Sequence, residues 1–168
     1  MASGCPTLSR MEEGGAKAAS AEDLQAEQDR RALHLMLEYV CTATRADGSA
    51  VALNQGSAHA MQASFRTTPP PDGAPDPAAA MRAECLRTGA VVDCADTASD
   101  ARGIVDAEAC GQMKIAAVVA APVCVDGRTV GVLEMHSAQA YNFMEGDVEV
   151  LKRVADVIGA LVCRRNSI

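Results

Sequence analysis

Apolar residues recur along this chain with two different periods. Between Ser20 and about Thr44, Leu33, Met36, Leu37 and Val40 return at helical spacing, which gives a helix one side to bury. Ser20 and Asp23 have the form of a capping box: the hydroxyl accepts an orphan amide and the acid sits at the positive end of the helix dipole. Ala46-Asp47-Gly48 is turn chemistry and ends the helix. Ser49 to Leu53 and His59 to Phe65, on either side of Asn54-Gln55-Gly56-Ser57, read as a two-stranded hairpin, with Met61, Ala63 and Phe65 alternating against Gln62 and Ser64. The prolines between Arg66 and Pro77 exclude both ladder and helix interior, so that stretch is a surface loop. Asp76 as N-cap, Pro77 at the first helical position and Gly89 just past the end predict a short helix over 78–88. Val91 to Cys94 is a brief strand, and a helical turn follows around Asp106 to Cys110.

The strongest local pattern lies further on. Ala117 to Val125 and Thr129 to His136 are apolar segments flanking Asp126-Gly127, a pair able to take the positive φ angles of a type I′ turn. The last helix begins near Glu145, with Phe143 placed as a hydrophobic staple on Val148 and Asp147 in the first turn, although Met144 is a poor cap. At about 100° per residue, Val148, Leu151, Ala155, Ile158 and Val162 share one face, and Val150, Val154, Val157 and Leu161 share the adjoining one. Such an arc is wider than one sheet face needs, so part of it contacts another helix. Hairpins in place of βαβ crossovers point to an α+β fold with an antiparallel sheet.

Composition narrows the chemistry. The 168 residues suit one domain and can bury a real core. Aromatic residues make up only 2% of the chain and the net charge is −7, which leaves neither stacking platforms nor a basic stripe for nucleic acid. The longest apolar run, Ile115 to Val125, contains Pro122 and is too short to cross a bilayer. No signal peptide is recognisable in residues 1–20, so the expected location is cytoplasmic, with no membrane partner. Seven cysteines without C-x-x-C spacing disfavour a disulfide framework and a zinc site. His34, His59 and His136 match no metal spacing, and neither a metal nor a cofactor is expected.

Leu86-Arg87-Thr88-Gly89, Val91-Val92-Asp93, Asp100-Ala101-Arg102, Ala121-Pro122-Val123, the run Asp126 to Leu133, Ser137, and Phe143 with Asp147 four positions on together resemble the GAF domain family over about residues 20–163. The resemblance implies a PAS-like central antiparallel sheet of about five strands. The N- and C-terminal helices would pack together on one face, with a ligand pocket on the other. It further implies a sensory or regulatory module whose terminal helices pair with a second copy. The expected homodimer runs through residues 21–44 and 146–163, with helix-on-helix packing inside one chain as the alternative. The expected organisation is a flexible tail over 1–19, a single domain over 20–163 and a tail over 164–168. Without an output domain, the signal would pass to a partner signalling protein, or the ligand would be sequestered.

Among members of the family, the Asn-Lys pair of cyclic-nucleotide binders and the Cys-His pair of bilin binders have no counterpart here. The free methionine-(R)-sulfoxide reductases use cysteines on this fold. Cys110, twelve residues before Pro122, stands near the place of their nucleophile, with Cys85 or Cys94 as partner thiols, although Ala116-Ala117 replaces their Ser-Glu pair. That redox enzyme or thiol sensor is the alternative to a non-enzymatic module binding an unknown small molecule or a partner protein. Candidate ligand-binding residues are Asp93, Cys94, Asp96, Asp100, Arg102, Met113, Val119 and His136. Arg102 among carboxylates reads either as a structural ion pair or as a fork for a carboxylate ligand.

Overall fold

In the computed structural model, residues 20–55, 58–67, 70 and 73–166 are described; the tail expected over 1–19 lies outside them. Helix α1 (Ala21–Ala43) opens on the anticipated capping box. The Ser20 hydroxyl accepts the Asp23 amide at 3.1 Å, and the Asp23 carboxylate accepts the Ser20 amide at 3.0 Å. Strands β1 (Gly48–Gln55) and β2 (Ala58–Phe65) pair antiparallel, with a register shift between Val51 and Ala52. Helix α2 (Ala79–Thr88) ends at Gly89, as expected, but its N-cap position is Ala78 and not Asp76. One Asp76 oxygen accepts the Ala78 amide at 3.1 Å, while the other is drawn to Arg82 one turn into the helix.

Strand β3 (Val92–Cys94) and helix α3 (Ala107–Gln112) follow, the latter capped by Asp106, whose side chain accepts the Ala109 amide at 2.9 Å. Strands β4 (Ala117–Val125) and β5 (Arg128–Ser137) form the long central hairpin. Asp126 and Gly127 at its turn have φ of 49° and 75°, as a primed turn requires. Helix α4 (Glu145–Asn166) extends past the expected boundary at Cys163; residues 167 and 168 lie outside the described part. Met144 has no side-chain oxygen to offer its first turn. Asp147 compensates from within the helix, its carboxylate accepting the Met144 amide at 2.8 Å.

The sheet order is β2-β1-β5-β4-β3, with every neighbouring pair antiparallel. Because side chains alternate across a strand, β4 divides its apolar residues between two cores. Val119, Ala121 and Val123 join Leu133 and Met135 of β5 beneath Leu37 and Val40 of α1 and Leu151 and Ile158 of α4. Val118 and Ala120 face the other way, into a smaller cluster with Met81 and Cys85 of α2 and Cys110 of α3. Both terminal helices therefore lie on one face of the sheet, and the short helices on the other.

Helix α4 lies so close to β4 that a methyl group on Gly159 would overlap the carbonyl oxygen of Cys124. A methyl at this position has to push helix and strand apart. Gly159→Ala should lower the unfolding free energy by about 1–3 kcal/mol, read as a smaller urea midpoint at unchanged slope.

Candidate functional site

The face covered by α2 carries an acid where its neighbours are apolar. Glu134 of β5 lies opposite Ala50 of β1 and Ala120 of β4, and its side chain is 12% exposed. Arg82 of α2, 13% exposed, reaches down to it, with Nη1 at 2.9 and 2.8 Å from the two carboxylate oxygens. Nη2 of the same guanidinium donates to Asp76. Two carboxylates thus share one guanidinium, leaving a net charge of −1 when both are ionised. Burial pushes the Glu134 carboxyl up to about 7; Arg82 opposes that rise and Asp76 adds to it.

The hollow around this cluster has a volume of about 30 Å³ and is lined further by Thr67, Met113, Ile115, Val118 and His136. That is room for about one water molecule, against the roughly 300–1,000 Å³ of ordinary small-molecule sites. His136 stands at the end of the hollow nearest the β5–α4 connection, with Thr67 Oγ1 at 3.4 Å from both ring nitrogens. Burial pushes its imidazole down, opposed by Asp47. The ring fits because residue 48 is glycine: a Cβ there would lie 2.5 Å from Cε1 and Nε2.

Behind His136 a polar network joins the inner ends of the two long helices. The His136 carbonyl accepts the Asp47 amide at 2.9 Å. The Asp47 carboxylate accepts Ser137 Oγ at 3.1 Å and the Ala138 amide at 2.7 Å. Asn142 Nδ2 donates to Ser137 Oγ and to the Arg45 carbonyl, both at 2.9 Å, and Arg45 Nη1 lies 2.8 Å from the Asp147 carboxylate.

Of the residues singled out by sequence, Met113 and His136 line the hollow with Glu134. Val119 is buried in the core beneath the long helices. Asp93, paired opposite Val119, is exposed at a separate hollow of about 150 Å³ beside Phe143 and Glu145, which Cys94 and Val119 also line. Asp96 holds its own loop, accepting the Ala98 amide at 3.1 Å and Ser99 Oγ at 2.8 Å. Arg102 lies 2.9 Å from Asp100 and donates to the Asp93 carbonyl at 2.7 Å, while Asp100 also accepts the Ile104 amide at 3.1 Å. Hydrogen bonding to Arg102 lowers the Asp100 carboxyl below its ordinary range. Of the two roles open to Arg102, this geometry is that of the loop-ordering ion pair.

Cys85, Cys94 and Cys110 are buried in one apolar cluster. Burial pushes the thiols of Cys85 and Cys110 up to about 12 and about 11, and it also raises Cys94. Sequence reasoning passed over Asp76, Arg82 and Glu134 as a site. A lone acid inside the apolar segment Thr129 to His136 was the available signal, but nothing local says which cation meets it. Among the described residues, no group of three or more His, Cys, Asp or Glu side chains is placed to hold a metal.

The fold has many solved counterparts. A type II free methionine-R-sulfoxide reductase from Thermoplasma acidophilum is similar with TM-score 0.67 and 14% identity, over 83% of this chain and 96% of that one. The GAF domain/HD domain protein from Geobacter sulfurreducens aligns with TM-score 0.66 and 12% identity, over 85% and 97% of the two chains. The GAF domain of an Acinetobacter phosphoenolpyruvate-protein phosphotransferase aligns with TM-score 0.66 and 14% identity, over 89% and 98%. At such identities these likenesses speak for the fold alone. No curated protein matches the sequence. The family model described as GAF domain matches residues 30–162, and this span holds the whole five-stranded sheet together with most of both long helices. The chain belongs to the GAF domain family.

Proposed function

We propose that this GAF domain is a regulatory module that works as a homodimer through α1 and α4 and takes its input at the small hollow on the opposite sheet face. The observation that carries this reading is an apolar groove of about 420 Å³ between the two long helices. Leu35, Met36, Tyr39, Val154 and Val157 line it, with Arg153 at its edge. Leu35, Tyr39 and Val157 are 60%, 56% and 53% exposed. Fully burying side chains of this size gains roughly 1.5–3 kcal/mol each, and a second copy offers the same apolar surface in return. The half of the α4 arc that the sheet leaves uncovered lies here. The polar network through Asp47, Arg45 and Asp147 supports a link between the two faces, since it joins the strand under the hollow to the inner ends of both helices. A small molecule larger than water would have to move α2 away from β5, and a partner protein would receive the change from the helices. Among the described residues no helix is long and apolar enough to cross a membrane.

The redox alternative is weakened by the state of its thiols. A nucleophilic cysteine needs a lowered pKa and access to substrate, whereas Cys110, Cys85 and Cys94 are buried and their thiols raised. The likeness to a methionine sulfoxide reductase therefore supports a shared scaffold without its thiol chemistry.

Two measurements test these readings. In sedimentation at micromolar concentration the protein should run at twice the chain mass, and Val157→Glu should run as a monomer with an unchanged circular dichroism spectrum. A wild-type monomer would remove the basis for signalling through paired helices. Alkylation of the native protein should modify exposed Cys124 and leave Cys85, Cys94 and Cys110 unmodified until it is unfolded; rapid native labelling of Cys110 would reinstate the thiol enzyme.

A further inference from the structure

We propose that the Asp76–Arg82–Glu134 cluster is a proton-binding site, in which Glu134 takes up one proton from solvent and, on releasing it, loosens α2 from β5. This rests on the reading of the hollow as the input site for its regulatory meaning, while the proton binding itself stands on the geometry of the cluster.

The geometry leaves one charge unbalanced. Arg82 turns Nη1 to Glu134 and Nη2 to Asp76, so a single guanidinium answers two carboxylates. The Asp76 side chain is 39% exposed and keeps its charge in water, whereas Glu134 is 12% exposed, so the shortfall falls on Glu134, and a carboxyl group held away from water without full compensation favours its protonated form. The hollow of about 30 Å³ admits little else that brings a positive charge. With its proton bound, Glu134 is neutral and Arg82 and Asp76 balance each other. With the proton gone, the surplus negative charge favours any movement that lets water reach the carboxylate. Arg82 and Cys85 both sit on α2, so that movement is a separation of α2 from the sheet.

The other groups around Glu134 do not supply the missing charge. From β1 and β4 the residues opposite it are Ala50 and Ala120. From α2 the second titratable group is Cys85, whose thiol Glu134 helps to raise. From α3, Cys110 is buried in the neighbouring cluster and feels Asp76 as well as Asp106. His136, two residues along β5 on the same face, is shifted towards its neutral form by burial. Among the described residues lining the hollow, Arg82 is the one side chain that stays cationic throughout the neutral range.

The sign of the pH dependence separates Glu134 from His136. A carboxyl raised to about 7 from 4.5 on folding binds its proton more tightly in the folded state. Its contribution to stability is complete at low pH and is lost as pH rises between those values. A histidine lowered on folding acts in the opposite direction, losing stability as pH falls through its titration range.

The test is thermal unfolding of the full chain between pH 5 and pH 8, with Glu134→Gln and His136→Gln as variants. The wild-type melting temperature should fall by on the order of 5–10 °C from pH 5 to pH 8, E134Q should lose that fall and stay level or rise over the window because His136 acts in the opposite direction, and H136Q should show a fall at least as large as wild type. A direct readout accompanies this: the Glu134 carboxyl carbon resonance of the labelled wild-type chain should titrate near neutrality. A carboxyl midpoint below pH 5, or an E134Q slope equal to that of wild type, overturns the proposal even if E134Q folds poorly at one extreme. Sedimentation at pH 6 and pH 8 reports the dimer separately, so failure of the regulatory reading is distinguishable from failure of the proton site.

Discussion

The sheet of this protein is covered on both faces, and that constraint governs the rest. β5 and β4 are central strands with the long helices on one side and α2 on the other. Such strands have no wet side, so a charge placed on either face must find its counter-charge inside the protein. Glu134 is that charge, and Arg82 is the answer the fold provides. The pairing also places α2: its guanidinium reaches Glu134 only if the helix lies across the inner face of β5, with Met81 and Cys85 of the same helix packed on Val118 and Val132. An ion pair of this kind contributes little net stability, since desolvation offsets most of its attraction, but removing one partner leaves the other buried alone. Its effect is to restrict how α2 can lie.

The two faces of the sheet are specialised by what covers them. On the long-helix side, α1 and α4 together bury Leu37, Val40, Leu151 and Ile158 and still leave Leu35, Tyr39 and Val157 in water. On the other side the covering elements are short and the enclosed space small. Contact between the sides runs through the chain ends of β1 and β5, where Asp47, Ser137, Asn142 and the Arg45–Asp147 pair meet. Arg45 is half exposed, so this pair adds at most about 1 kcal/mol. Its value is geometric, because it connects the segment after α1 to the first turn of α4.

The cysteines illustrate how burial decides chemistry. The sequence offers Cys85, Cys94 and Cys110 as a redox set, and they do share one cluster. Their neighbours there are Met81, Ile115, Val118 and Val132, and among the described residues no cation acts on the sulfur of Cys110. In such surroundings a thiol is a small apolar side chain that favours its protonated form. Arg102 follows the same logic on the surface, where its Nε and Nη2 are engaged by Asp100 and the Asp93 carbonyl.

Much of the architecture was legible in the residues because the determinants are local. The Ser20–Asp23 box, the Asp126-Gly127 turn, Gly89 after α2 and the arc on α4 are each set by neighbours within a few positions. Boundaries moved where a side chain had a better partner than the local one, as when Asp76 turned to Arg82 instead of capping α2 in the usual position. The inward or outward sense of a three-residue strand is not legible either: Asp93 and Val119, candidates beside His136 in the sequence, lie on the opposite face. The amino-acid sequence by itself determined the elements, their order and the family. Tertiary structure alone decided that Glu134, 52 residues from Arg82 along the chain, would meet it in a small hollow beneath α2. A charge pair at that separation is selected by how helix and sheet pack, and no short-range pattern records it.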